Sequence, residues 1–249
     1  MARYKKLTYA QKQAVSATGL LMQRTRMVYP GARIAVAASG GADSFALLKI
    51  LTIRKAIMPF DVELMALHVN PGFEPDNEGP LLDVCRELGV AVHTEQTDHG
   101  PRAHSEENRK KSPCFYCAMQ RRKRLFELCR DYGMTHLALG HNTDDLTSTF
   151  FMNLLHGGRV EGMSACEPFF GGALTVIRPC LLVDKATLER VARQWGLPVW
   201  KNHCPSSGDT KRDEVLSWLA EKWSQEPKIQ NNIKSALKRF QLDAQVKRT

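Results

Sequence analysis

Apolar runs alternate with amphipathic stretches along most of the chain. Residues 33–38, RIAVAA, lie between a Pro-Gly turn and a pair of glycines and predict a buried strand. Asp43 and Ser44 then open an amphipathic stretch that predicts a helix ending before Pro59. By the same criteria, strands are predicted at 62–70, 90–96, 135–140 and 175–183, and helices at 80–89, 114–132, 143–155 and 185–195.

This alternation predicts an α/β fold. Strands separated by helices of these lengths form βαβ units, so we expect a parallel sheet with helices on both faces and ligands at the carboxyl ends of the strands. The two ends of the chain are expected to be short and helical. We therefore predict an N-terminal helical extension (1–29), one catalytic domain (30–208) and a C-terminal helical segment (209–249). No apolar run is long enough for a membrane span and no secretory signal is recognisable, so a cytoplasmic protein without membrane association is expected.

Charge adds the expectation of a polyanionic partner. The chain of 249 residues has a formal net charge of +9, and clustered cations gain affinity for phosphates by releasing counterions. A solvated basic surface is the alternative. The clustered basic residues are Arg102, Arg109, Lys110 and Lys111, then Arg121, Arg122, Lys123 and Arg124, and finally Lys234, Lys238, Arg239, Lys247 and Arg248.

A glycine-rich turn follows the first predicted strand. Ser39-Gly40-Gly41-Ala42-Asp43-Ser44 joins this strand to a helix, so its backbone N–H groups can face a phosphate at the helix N-terminus. Ser39 and Ser44 add hydroxyl donors. The turn lacks the Gly-Lys-Ser/Thr ending of a Walker motif. Asp43 is expected to cap the helix or to contact Mg²⁺.

A second polar segment follows the strand predicted at 135–140. Gly140, His141, Asp144 and Asp145 belong to the run LGHNTDD, which leads into a helix. Paired carboxylates at the end of a strand can hold Mg²⁺ together with phosphates. A helix cap with a solvated Asp is the structural alternative.

Seven cysteines in a chain without an export signal are expected to be mostly reduced. Cys114 and Cys117 open a helix rich in arginine, where the helix dipole and neighbouring cations are expected to lower the pKa of both thiols. A redox pair, a zinc site completed by His203 and Cys204, and an iron-sulfur site are all compatible with this spacing. Core positions are expected for the remaining cysteines, namely Cys85 and Cys129 on helices, Cys180 in a strand and Cys166 in an irregular segment.

Five motifs in consistent order give the chain a family resemblance. They are SGGxDS at 39–44, CxxC at 114–117, LGHxxDD at 139–145, FxNxxxGG at 151–158 and VIRPxL at 176–181. The first resembles the signature of the PP-loop ATP pyrophosphatases, which cleave ATP between its α and β phosphates. Together with the late Cys204, the set resembles the tRNA 2-thiocytidine synthetase family over residues 30–208.

The resemblance implies an adenine nucleotide alpha-hydrolase-like PP-loop fold and an ATP-dependent enzyme. It would adenylate the C2 oxygen of cytidine 32 in a tRNA anticodon loop and replace it with sulfur from a cysteine desulfurase. ATP, Mg²⁺ and a [4Fe-4S] cluster are the implied cofactors, and relatives suggest a homodimer. The implied ATP-site residues are Ser39, Gly40, Gly41, Asp43, Ser44, His68, Asn70, Gly140, His141, Asp144 and Asp145, with His68 and Asn70 at the adenosine. Cys114, Cys117 and Cys204 are the implied cluster ligands and, with Asp43, the implied catalytic residues.

The chain also departs from the family pattern. Ala42 stands where many relatives have Lys, and Cys204 is followed by Pro-Ser-Ser where members often have a second CxxC. Phe115, Tyr116 and Arg121 to Arg124 are candidates for contact with RNA, with helix packing as the alternative. Two other functions stay open: a PP-loop ligase or amidotransferase acting on a small metabolite, and a non-catalytic RNA-binding protein that contains a metal.

Overall fold

The computed structural model describes residues 7–74, 78–108, 111–200, 204–206 and 210–246. Arg109, Lys110, His203, Lys247 and Arg248, which the sequence analysis singled out, lie outside these ranges. The helices are α1 (Tyr9–Thr25), α2 (Ala42–Lys55), α3 (Gly79–Leu88), α4 (His99–Ala103), α5 (Pro113–Asp131), α6 (Thr143–Gly157), α7 (Lys185–Gln194), α8 (Lys211–Gln225) and α9 (Pro227–Val246). The strands are β1 (Arg33–Ala37), β2 (Glu63–Asn70), β3 (Ala91–Gln96), β4 (His136–Ala138), β5 (Cys166–Phe169) and β6 (Leu174–Ile177).

The strands form one sheet in the order β3-β2-β1-β4-β6-β5. All neighbouring pairs are parallel except β5 and β6, which are antiparallel. From β1 the chain first builds β2 and β3 on one side and then returns to place β4 on the other. The carboxyl ends of β1 and β4 therefore form the switch point where doubly wound sheets bind ligands.

Apolar side chains cover both faces of the sheet. Alternate residues of β1 and β2 point to opposite faces, so Ile34 packs with the larger core cluster while Ala35 packs with the smaller one. Helices α1, α2, α3 and α7 contribute to the larger cluster, and α5 covers the other face through Leu125, Leu128 and Cys129. Burial on both faces explains why the central strands are continuous apolar runs. The predicted fold class is confirmed, with one antiparallel edge strand added.

Three details of the predicted elements are wrong. Cys166 begins the edge strand β5, whereas an irregular segment was expected. The segment CEPF is short and contains proline, which is tolerated in a sheet only at its edge, and this obscured the strand. Cys180 lies in the turn after β6, because β6 ends at Ile177 rather than continuing to 183. The short helix α4 interrupts the segment expected to be a loop up to Pro113.

The flanking helices share the main core with the sheet. Ala14 and Leu21 of α1 and Leu237 of α9 belong to the larger core cluster. The division into segments 1–29, 30–208 and 209–249 stays a prediction. No helix in the described ranges is both long and apolar enough to cross a bilayer. All seven cysteines are free, and Cys85, Cys129 and Cys180 are buried.

Candidate active site

The loop Ser39–Ser44 lies at the carboxyl end of β1 and leads directly into α2. Gly40 has φ +87°, a conformation that a residue with a side chain rarely adopts. The Ser44 hydroxyl donates to the Gly41 carbonyl at 2.9 Å and accepts from the Ser39 amide at 3.1 Å. Helix α2 has no side-chain cap, so its first N–H groups keep the capacity to bind an anion.

Asp43 does not cap α2, contrary to one of the two roles expected for it. Its Oδ2 accepts from Asn142 Nδ2 at 3.2 Å, whereas Oδ1 is buried and has no partner among the described residues. Burial and, to a lesser degree, the neighbouring Asp145 raise the pKa of the Asp43 carboxyl to about 6. A buried carboxylate oxygen without a donor is costly unless a cation meets it. This oxygen fits a Mg²⁺ ion held beside the phosphate loop.

The segment LGHNTDD approaches the phosphate loop closely. A Cβ atom added at Gly140 would lie 3.2 Å from the Ser44 amide nitrogen, so a larger residue would press on the start of α2. Asn142 caps α6 by accepting from the amides of Asp144 and Asp145, and Asp145 completes a capping box. The two loops therefore meet at the switch point of the sheet.

Both carboxylates of this segment already have partners in the structure. Asp144 accepts from the Lys185 amide at 2.9 Å and pairs with Lys234 at 3.1 Å. Asp145 pairs with Arg212 at 3.2 Å. Lys234 and Arg212 belong to α9 and α8, in which the sequence showed no functional motif. Asp144 and Asp145 thus hold the C-terminal helices beside the site. Because Asp43 has a buried oxygen without a partner among the described residues, it is better placed than either to accept a cation.

His68 and Asn70, at the end of β2, differ in how they are used. His68 is buried; its Nδ1 bonds the Ala38 carbonyl at 2.7 Å, and its Nε2 has no partner among the described residues. Burial lowers the pKa of His68, so the ring is neutral near pH 7. Asn70 instead stabilises the turn that follows it, accepting from the Gly72 amide at 2.9 Å.

Trp200 is a site residue that sequence reasoning missed. Its amide donates to the Gly40 carbonyl at 3.1 Å, and a Cβ added at Gly40 would lie 2.1 Å from the indole ring. The ring also packs against Phe45 and His68, with centroids 5.4 and 6.0 Å apart. Gly40 is therefore required for this close approach as well as for its turn. Only the predicted glycine turn pointed to this region, because a lone Trp in a loop carries no local signal.

The three candidate cysteines come together from two distant parts of the chain. Cys114 and Cys117 lie in the first turn of α5, and the Cys114 thiol donates to the Ser206 carbonyl at 3.9 Å. Cys204 Sγ lies 3.9 Å from His104 Nε2. Each of Cys114 and Cys117 is close enough to Cys204 for the two charges to interact.

The expected lowering of the thiol pKa is wrong for this structure. Burial raises the pKa of both Cys114 and Cys117 above the ordinary value, and the proximity of Cys204 adds to the effect. Arg121 counteracts this at Cys117. Groups that destabilise one another as thiolates gain when a positive centre is placed among them, and cysteine thiolates are the ligands that iron-sulfur clusters take.

The three thiols do not form a tight site for a single ion. Within the described residues, no three His, Cys, Asp or Glu side chains converge closely enough to hold one metal ion. His203, the fourth ligand of the zinc alternative, lies outside the described residues.

The basic residues of α5 have different roles. Arg124 forms three hydrogen bonds to Glu95, the shortest 2.7 Å, and another to Glu127, which makes it a structural residue. Arg121 is directed toward Cys117, and burial lowers the pKa of its guanidinium. Arg122 and Lys123 are exposed.

His141, in the segment LGHNTDD, lies in a cationic environment. Burial and then the nearby Arg178, Arg212 and Arg122 lower the pKa of His141 to about 3, so the ring is uncharged. Arg178 is buried and donates to the Ser164 carbonyl at 2.6 Å. The neutral imidazole of His141 can donate one hydrogen bond and accept another without adding positive charge to this environment.

Comparison with known proteins agrees with this geometry. A family model described as "PP-loop domain" matches residues 10–213. A tRNA-cytidine(32) 2-sulfurtransferase of Geobacter sulfurreducens is 32% identical over 99% of this chain and 95% of its own length. One of Alkalilimnicola ehrlichii is 34% identical over 93% of this chain and 74% of its length.

The solved structure of the U34-tRNA thiolase NcsA from Methanococcus maripaludis with its [4Fe-4S] cluster superposes with a TM-score of 0.74 at 21% identity, covering 94% of this chain and 79% of that chain. An NMN synthetase from Francisella tularensis gives a TM-score of 0.53 at 13% identity, covering 84% of this chain and 87% of that chain. At these identities the structures support the fold alone. The matches in sequence show that the chain belongs to the tRNA-cytidine(32) 2-sulfurtransferase family of PP-loop proteins.

Proposed function

We propose that the chain is an ATP-dependent tRNA sulfurtransferase that converts cytidine 32 of the anticodon loop to 2-thiocytidine. The relatives named above carry this activity in their names. One observation in the structure supports it most directly. The Trp200 amide, four residues before Cys204, donates to the Gly40 carbonyl of the phosphate loop, so the chain that carries Cys204 leaves directly from the phosphate site.

The first step uses the phosphate loop. Backbone N–H groups at the start of α2, with the Ser39 and Ser44 hydroxyls, hold the ATP phosphates, and Asp43 would hold Mg²⁺ through its Oδ1, which has no hydrogen-bond partner among the described residues. The C2 oxygen of the cytosine attacks the α-phosphorus, and the bond to the β-phosphate oxygen breaks. Pyrophosphate leaves, and the oxygen at C2 is now bonded to AMP, which is a good leaving group.

The second step, the replacement of oxygen by sulfur, takes place on the side of the site where the three cysteines lie. Cys114, Cys117 and Cys204 would hold a [4Fe-4S] cluster whose iron without a protein ligand can bind sulfide when the cluster is present. A nucleophile at the oxidation level of sulfide adds to C2, and AMP departs with the original oxygen, so no electron transfer is required. Trp200 and the buried His68 exclude water from the space between the two sites, which protects the adenylated base from hydrolysis.

A cysteine desulfurase as the sulfur source, a thiol reductant that brings its persulfide sulfur to the oxidation level of sulfide, and a homodimeric assembly belong to the same proposal. The test is pyrophosphate release by the purified protein with ATP, Mg²⁺ and an unmodified tRNA transcript. Release should depend on tRNA and disappear when cytidine 32 is replaced by uridine. Release without tRNA would instead favour a PP-loop ligase or amidotransferase acting on a small metabolite. Binding of tRNA without any release would favour a non-catalytic RNA-binding protein.

A further inference from the structure

The outer side of α5 carries an open groove that the reaction described above does not use. The groove has a volume of about 310 Å³ and is lined by Phe115, Ala118, Met119, Arg122, Lys123 and Phe126. These positions recur at intervals of three and four residues, so they share one face of the helix. We call this surface the α5 groove.

Aromatic and apolar side chains make up much of the α5 groove. Phe115 is 58% exposed and Met119 is 37% exposed. Phe126 packs against Phe169 and Phe170, with ring centroids 5.2 and 5.5 Å away. Phe170 is 66% exposed and has φ +53°, an unfavourable conformation for a large side chain. Several exposed apolar groups in one place indicate a binding surface.

The α5 groove is also cationic. The Lys111 ammonium lies 5.5 Å from the centroid of the Phe115 ring. Arg122 forms no ion pair or hydrogen bond within the described part of the chain. Lys123 is joined to Glu127 only at 3.9 Å, with 73% of its side chain exposed. Both charges are therefore available to an anionic ligand.

The position of the groove relates it to the candidate active site. Phe115 lies between Cys114 and Cys117, and the groove runs from there along α5 to Phe126. At a rise of about 1.5 Å per residue this is a length of roughly 16 Å. A stacked strand rises about 3.4 Å along its axis per nucleotide, so the groove is as long as roughly five stacked nucleotides.

We infer that the α5 groove binds unpaired nucleotides that flank the target base, with bases stacked on Phe115 and phosphates at Arg122 and Lys123. Aromatic rings beside cations are the means by which proteins bind single-stranded RNA. A second copy of the chain fits less well. A two-fold interface would place the same patch against itself, and Arg122 and Lys123 would face their own copies. The inference rests on the proposed function, because it assumes that the substrate is a tRNA loop.

Binding of an anticodon stem-loop RNA, measured by fluorescence anisotropy at several salt concentrations, tests the inference. Phe115→Ala should weaken binding about 5- to 100-fold, the effect of one lost stacking contact. The slope of log affinity against log salt should stay unchanged in this variant. Arg122→Ala should reduce that slope by about 0.7, the value for one phosphate contact in a single strand. Arg130→Ala is the matched control, since Arg130 is exposed on the same helix but pairs with Asp131.

Iron content is measured in each variant, because Phe115 lies between two candidate ligands. Wild-type affinity in both Phe115→Ala and Arg122→Ala would overturn the inference. The inference would also be overturned if the wild type sedimented as a dimer and Phe115→Ala as a monomer with unchanged RNA affinity. The groove would then be an interface between copies. If the wild type thiolates tRNA and the groove variants bind and thiolate it equally well, the inference is overturned and the proposed function stands. If the groove variants weaken RNA binding but the wild type does not thiolate tRNA, the proposed function is overturned and the inference about the groove stands.

Discussion

The phosphate loop and the cysteine site are built differently. Residues 39–44 are one continuous segment from the end of β1 into the first turn of α2, and Ser39, Gly41 and Ser44 are hydrogen-bonded to one another. The cysteine site joins the start of α5 to a segment about ninety residues later, through contacts of Cys114 with Ser206 and of Cys204 with His104, both at 3.9 Å. The first site is therefore held in part by its own short hydrogen bonds, whereas the second is held by longer contacts between distant segments. Substitutions should therefore affect the two sites separately.

The largest expected effect follows loss of one cysteine. Cys204→Ala should abolish thiolation and remove most of the iron, because two remaining thiols in one helical turn cannot hold a cluster alone. The affinity for ATP should stay within about twofold of the wild type, since the phosphate loop makes its own contacts. Iron analysis and nucleotide titration measure the two effects. Cys166→Ala is the control, and equal iron in both variants would contradict the role of Cys204.

Ser39→Ala should have the reverse effect. Loss of one donor to the phosphates is expected to slow tRNA-dependent pyrophosphate release about 10²- to 10³-fold while leaving iron content unchanged. Ser224→Ala, at an exposed serine of α8, serves as the control. The comparison between the two sites breaks down if Ser39→Ala loses its iron, because the sites would then not be independent.

Asp43→Asn sharpens the comparison by separating stability from activity. The pKa of Asp43 is raised from 3.8 to about 6 in the folded protein, so ionisation above that range destabilises the fold. A shift of about two units corresponds to at most about 3 kcal/mol. Without ligands, Asp43→Asn should therefore raise the free energy of unfolding at pH 7.5 by up to about 3 kcal/mol. The gain should shrink as the pH falls below 6, although pyrophosphate release is lost.

Denaturant unfolding at pH 7.5 and pH 5 measures this difference. An equal gain at both values would show that ionisation of Asp43 is not its cause. No gain at pH 7.5 would show that the carboxylate is already compensated in the free protein.

The smallest expected effect concerns the helices behind the phosphate loop. Lys234→Met should destabilise the protein by about 1–3 kcal/mol, because Lys234 is 13% exposed and its removal leaves Asp144 and Asp184 without their cation. Lys222→Met, at an exposed ion pair, should cost less than about 0.5 kcal/mol. Equal unfolding midpoints for the two variants would contradict a structural role for the contact between α9 and Asp144.

Features that depend on residues near one another in the chain, such as turns, helices and strands, could be predicted from the sequence. The turn at 39–44, the start of α5 and, apart from α4 and β5, the order of strands and helices follow from local periodicity and glycine placement, and the structure confirms them. Contacts between distant residues could not be predicted in this way. Arg212 pairs with Asp145 across 67 positions, and nothing near either residue indicates the other.

Contacts between residues distant in sequence also explain why the helix-capping role of Asp43 and the lowered thiol pKa of Cys114 and Cys117 were expected incorrectly. Asp43 has the residue type and the position of a helix cap, but Asn142 binds its carboxylate from another loop. Cys114 and Cys117 have the position of activated thiols, but burial and the nearby Cys204, which is distant in sequence, raise the pKa of both. In both cases a tertiary neighbour decides the outcome. Trp200 was overlooked because its partner, Gly40, is distant in sequence.

The central claim is that both sites act on one tRNA cytidine. The most direct test is to express the chain in a bacterium that lacks its own thiocytidine enzyme and to analyse the tRNA nucleosides by mass spectrometry. The account predicts that 2-thiocytidine appears with the wild type and is absent with Cys204→Ala or Ser39→Ala. Wild-type protein that carries iron and binds ATP but produces no 2-thiocytidine would contradict the account.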